Sequence, residues 1–125
     1  MDISSNYIGD KGAESISSLS QLRTLDINNN NIGYKGADSI CALSQLTYLS
    51  MGYNTIGDKG AKSISTLSKL NVLDIQSNNI HENGAACLSY LTGLTYLSIG
   101  NNDIGDKGAE SISTLSRLID LFIYL

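Results

Sequence analysis

The sequence predicts an α/β solenoid of about five units, right-handed, with a parallel sheet along its concave face and short helices along its convex one. Three observations carry that expectation. Asn6, Asn30, Asn54, Asn78 and Asn102 stand at a strict interval of 24 residues, each followed two places later by isoleucine. Ahead of the later asparagines apolar residues alternate, as at Leu25 and Ile27 or Leu73 and Ile75, the period of a strand with one buried side. Behind each comes an apolar stripe at helical spacing, Ala13, Ile16 and Leu19 in the first copy.

Taken in order, a unit begins with the strand. The phrase Leu22, Leu25, Ile27, Asn30, Ile32 returns as Leu46, Leu49, Met51, Asn54, Ile56 and twice more, ending at Ile104. The asparagine turns inward, where its amide bonds backbone groups that the bending chain leaves unpaired; such a group costs roughly 1–3 kcal/mol if unmet. A turn follows, then a helical segment over 12–19 in the first copy. Asp10, Asp58 and Asp106 precede these segments and are expected to cap their free amides. Gly12, Gly36, Gly60, Gly84 and Gly108, each followed by alanine, leave room where helix and loop crowd together. Helices and strands this short do not stand alone in water. Stacked copies give them one continuous core, in which each buried leucine or isoleucine contributes about 1.5–3 kcal/mol.

The phrase L-x-x-L-x-[IM]-x-x-N-x-I resembles the leucine-rich repeat. The following I-G-D-K-G-A-E-S-I-S is similar to the ribonuclease-inhibitor-like branch and to bacterial proteins with 24-residue units, some of them effectors acting inside host cells. The resemblance spans nearly the whole chain. It implies the solenoid and a binding role, because the family is defined by its scaffold rather than by a reaction.

Composition narrows the function. Eight basic residues against 12 acidic ones give a net charge of -4, the wrong sign for gripping phosphate backbones, so nucleic acid is not expected as a partner. No apolar run approaches the roughly 20 residues that cross a bilayer. Cys41 and Cys87 fall in units two apart, about 10 Å at strand spacing, too far for a disulfide. Free thiols favour a reducing compartment, cytoplasmic or a host cytoplasm reached by delivery; secretion stays open. His81, with Glu82 beside it, replaces the Gly9, Gly33, Gly57 and Gly105 of other units. It lacks the converging ligands that a metal needs, and no nucleophile, base and orienting group recur together. Neither cofactor, metal nor catalysis is expected.

Residues 46–69 and 94–117 differ at five positions, which implies a second period of two units. The residues between the inward apolar ones form the outward stripe and are the candidates for binding a protein partner: Thr24, Asp26 and Asn28; Tyr48 and Ser50, with Tyr53 bordering; Val72, Asp74 and Gln76; Tyr96 and Ser98, with Asn101 bordering. Tyrosine offers large contact area at low entropic cost, and aspartate meets arginine or lysine. Duplication alone also explains the stripe. Residues 1–125 form a single repeat domain without dedicated caps, either a piece of a longer array or a chain that covers an end by pairing with its own copy. Asp120, Phe122, Tyr124 and Leu125 form the sticky terminal edge for such a homo-oligomer. The leading expectation is a non-catalytic protein-binding module. The alternatives are a structural or self-associating segment and the recognition part of a larger bacterial effector.

Overall fold

A computed structural model describes residues 1–124. Five helices alternate with five strands: α1 (Gly9–Ile16), β1 (Thr24–Asp26), α2 (Tyr34–Ile40), β2 (Tyr48–Ser50), α3 (Gly57–Ile64), β3 (Val72–Asp74), α4 (Glu82–Leu88), β4 (Tyr96–Ser98), α5 (Gly105–Ile112) and β5 (Asp120–Phe122). The strands make one parallel sheet in the order β1-β2-β3-β4-β5. Residues 24 apart pair, Leu25 with Leu49 with Leu73 with Leu97 with Leu121, and Asp2 bridges to Asp26 ahead of β1. Helices pack in the same sequence, each against the next. The architecture is the α/β solenoid that the periodicity predicts and that the resemblance to the leucine-rich repeat implies.

The core is the set of inward positions repeated along the stack. Leu25, Ile27, Ile32, Ile40, Leu43 and Leu46 are fully buried, as are nearly all their equivalents in the next two units. Burial falls off at the ends, where Met1 and Leu121 are 46% and 43% exposed.

The inward asparagines do more than satisfy their own turn. The Asn54 Oδ1 accepts from the Asn30 and Ile32 backbone amides of the preceding unit, both at 3.0 Å, while its Nδ2 donates to the carbonyls of Ile27, Met51 and Gly52. Asn30 and Asn102 likewise accept from Asn6 and Ile8 and from Asn78 and Ile80. Each amide thus binds two units at once.

Two local expectations change. The helices begin two or three residues earlier than the glycines expected to open them, and α1 ends at Ile16. Leu19 lies in the turn beyond, its N–H donating to the Ile16 carbonyl. The aspartates do not cap their own helices, since Asp10 and Asp58 sit in the first turns of α1 and α3. They reach across to the next unit: the Asp10 Oδ1 accepts from Gly33 and Gly36 at 2.7 and 2.9 Å, at the start of α2, and Asp58 accepts from His81 at the start of α4. The aligned glycines fall into two backbone classes. Gly57 has φ +62°, a conformation that costs other residues about 1–2 kcal/mol, whereas Gly33 and His81 are extended. A histidine therefore stands in the fourth unit without strain, and the alternation of two unit types extends into the backbone. The Gly-Ala pairs mark helix contact: a Cβ on Gly60 would lie 3.1 Å from Ala37 Cβ of the preceding helix and 2.5 Å from Ile56 Cβ.

Replacing Asn54 by alanine strands two buried N–H groups and the Ile27 carbonyl, while Met51 and Gly52 keep Asn78 Nδ2 and the Asn29 N–H. Urea unfolding is expected to show a loss of about 3 kcal/mol or more. Asn6→Ala, in the half-open first unit, is expected to lose under about 1 kcal/mol. Equal losses would contradict the bridging role of the buried amide.

Candidate functional site

With Leu25 and Ile27 turned inward, their neighbours face out, and the register arranges them in rows across the sheet. Thr24, Tyr48, Val72, Tyr96 and Asp120 form one row; Asp26, Ser50, Asp74, Ser98 and Phe122 form the second. Two residues further along lie Asn28, Gly52, Gln76, Gly100 and Tyr124.

The rows are not level. Ser50 and Ser98 are only 3% and 4% exposed, which corrects the expectation that their hydroxyls are offered to a partner. Longer side chains from flanking units lean over them. The Asn28 Nδ2 donates to the Ser50 Oγ at 2.7 Å, and the Ser50 hydroxyl is 3.4 Å from Asp74 Oδ2. Gly52 makes this possible: a Cβ there would meet Gln76 Cγ at 3.0 Å and Asn28 Oδ1 at 3.2 Å. Gly100 is covered by the Tyr124 ring in the same manner. Thr24, Tyr48, Tyr53 and Asn101 remain exposed, while Asp26, Asn28, Val72, Asp74, Gln76 and Tyr96 are half-buried. Tyr53 and Asn101 occupy left-handed turn positions at φ +54° and +51°, which carry their side chains past the strand ends.

The surface is acceptor-rich. Asp26 and Asp74 each accept the backbone N–H two residues on, at 3.1 and 3.2 Å, and the Gln76 Nε2 donates to Asp74 Oδ2 at 3.2 Å. Burial, then the negative charges of Asp74 and Asp120, push the Tyr96 phenol above its ordinary range. The Tyr96 and Phe122 rings lie 5.4 Å apart, and the Tyr124 hydroxyl donates to the Gln76 Oε1 at 2.6 Å. Asp120, Phe122 and Tyr124, anticipated only as a terminal edge, therefore also continue this face as its fifth column. The interval of 24 held the signal, since Phe122 aligns with Ser98 and Tyr124 with Gly100. Leu125 lies outside the described residues.

The opposite face shows different chemistry. His81 Nδ1 is 3.8 Å from Asp58 Oδ1, and Lys107 pairs with Glu82 at 3.3 Å. Lys59 sits 5.2 Å from the centre of the Tyr34 ring. Among the described residues no three His, Cys, Asp or Glu side chains converge as metal ligands. Cys41 and Cys87 are free thiols, and burial followed by the Asp38 charge raises the Cys41 pKa. No described helix is long and apolar enough to cross a membrane.

Comparison with known proteins agrees with the geometry. Two family profiles, both described as leucine-rich repeat, match residues 1–56 and residues 66–89 and 91–113. No curated protein sequence matches significantly. Among solved structures, an internalin (inlF) from Listeria monocytogenes is 25% identical with a TM-score of 0.59, covering 86% of this chain and 36% of its own. Internalin C2 from the same organism is 23% identical with a TM-score of 0.67, covering 88% and 55%. The tropomodulin C-terminal domain of Caenorhabditis elegans, 17% identical with a TM-score of 0.68, covers 93% and 83% and shares the fold. The chain thus spans about a third and about half of the two internalins.

Tyrosinate absorbance titrated against pH is expected to contain a component ionising above the usual 10.0 that disappears in Tyr96→Phe. Asp74→Asn is expected to move it downward, because a removed negative charge makes the phenolate less costly. A titration unchanged by either substitution contradicts the assignment.

Proposed function

We propose that this chain, which belongs to the leucine-rich repeat family, is a non-catalytic module that binds a partner protein through its sheet face. One observation carries the reading: the parallel register sets exposed Tyr48 and Tyr53 and half-buried Tyr96, Asp26 and Asp74 on one rigid surface. A sealed leucine and isoleucine core stands behind it. Large aromatic side chains on a stiff support lose little entropy on contact, which is what interface hot spots require. The free thiols support a reducing compartment, cytoplasmic or host-delivered. Likeness to a bacterial internalin, of which this chain spans about a third, supports a recognition segment within a larger bacterial protein.

A specific observation favours a second contact. β5 is the last strand of the sheet, and Leu121 and Phe122 are 43% and 44% exposed there. Pairing of two copies along this edge would cover both.

Both readings have direct tests. Capture of proteins from a lysate of the source organism is expected to lose a specific band in Tyr48→Ala/Tyr96→Ala, with an affinity drop of about tenfold or more per tyrosine and unchanged circular dichroism. Identical capture by the variant argues against the sheet face. Sedimentation over a dilution series is expected to show a dimer that Leu121→Lys dissociates. A monomer at every concentration rules the edge contact out.

A further inference from the structure

Resting on the binding role proposed above, we infer the chemistry of the partner: an extended, arginine-bearing segment laid across the strands, its guanidinium groups on Asp26 and Asp74. Charge complementarity comes first. Among the described rows of the sheet face, Asp2, Asp26, Asp74 and Asp120 are the charged side chains, and no lysine or arginine stands at any row position. The ion pairs among the described residues, His81 with Asp58 and Lys107 with Glu82, lie on the helix side, so the sheet carboxylates are not neutralised from within.

Hydrogen-bond capacity points the same way. Asp26 uses Oδ1 for the Asn28 N–H, which leaves its second oxygen for an incoming donor. The Asp74 Oδ2 accepts the neutral Gln76 amide at 3.2 Å, and a charged donor competes for that oxygen more strongly. An acceptor-rich surface suits a donor-only group, and guanidinium offers five donors and no acceptor. Tyr48 and Tyr96 flank Val72 on the adjoining strands β2 and β4, diagonal to Asp74 in the next row, giving aromatic faces on which a planar cation stacks better than an ammonium does. Burial first, and then the charges of Asp74 and Asp120, raise the Tyr96 phenol pKa.

Spacing sets the register. Asp26 and Asp74 stand on strands two apart, about 10 Å at ordinary strand separation. A segment in the polyproline-II conformation makes one turn, about 9 Å, in three residues, so arginines at every third position share a face and reach both carboxylates.

The test uses fluorescence anisotropy with a labelled short peptide carrying arginine at every third position, with glycine and serine between. Binding is expected, weaker when lysine replaces arginine. Asp26→Asn/Asp74→Asn, which keeps an oxygen for each backbone N–H, is expected to lower affinity about tenfold. The helix-side control Glu14→Gln/Glu110→Gln, of equal charge change, is expected to leave affinity unchanged. The assignment is overturned if the peptide is ignored at low salt, if both double variants weaken it equally, or if adjacent arginines bind as tightly. When the peptide fails but Tyr48→Ala/Tyr96→Ala still abolishes protein capture, the cationic partner alone falls. When both fail, the binding role falls with it.

Discussion

The structure depends on a shared amide. In each buried rung an asparagine oxygen accepts main-chain N–H groups of the unit before, while its nitrogen donates to carbonyls of both units. A chain that bends out of a strand into a turn leaves those groups without ladder partners, and inside an apolar core water cannot serve them. The fixed offset from strand leucine to asparagine, five residues in every full copy, follows from that requirement. An asparagine shifted within its unit would move the amide away from the donors that it must meet. Parallel register, the rows of the sheet face and the contact of each helix with the next all inherit their positions from this constraint.

Much of this was legible in the residues. Strand periodicity and the asparagine interval identified the solenoid, the inward leucines and the outward stripe, because those features depend on spacing alone. What stayed hidden depends on side-chain reach across units. Nothing in the spacing of Ser50 and Ser98 told that Asn28, Gln76 and Tyr124 would lean over the small residues beside them. Asp10 looked like a cap for the helix that it precedes, yet its carboxylate is held by Gly33 and Gly36 of the following unit. Gly33 and Gly57 align in sequence but adopt different backbone conformations, a distinction that the presence of His81 in one class hinted at.

The two faces divide the work. On the helix side, charges find partners within the chain, as Lys107 does with Glu82, and aspartates hold main-chain amides. Across the sheet, aspartates keep company with phenol rings and amides instead, so negative potential accumulates where the surface is stiffest. Rigid placement of such groups lowers the entropy lost on contact, and selectivity then comes from which donors a partner can bring.

The alternation of backbone types has a consequence for how such a protein grows. First, third and fifth units turn into their helices through a left-handed glycine, and the first and third extend a carboxylate forward; second and fourth units enter extended and meet it with main-chain N–H groups. Excising or inserting a single copy would juxtapose two givers or two takers and leave a seam with mismatched ends. The heritable quantum of this architecture is a doublet, so unequal recombination that preserves the fold must shift its length by 48 codons at a time, twice the 24-residue interval.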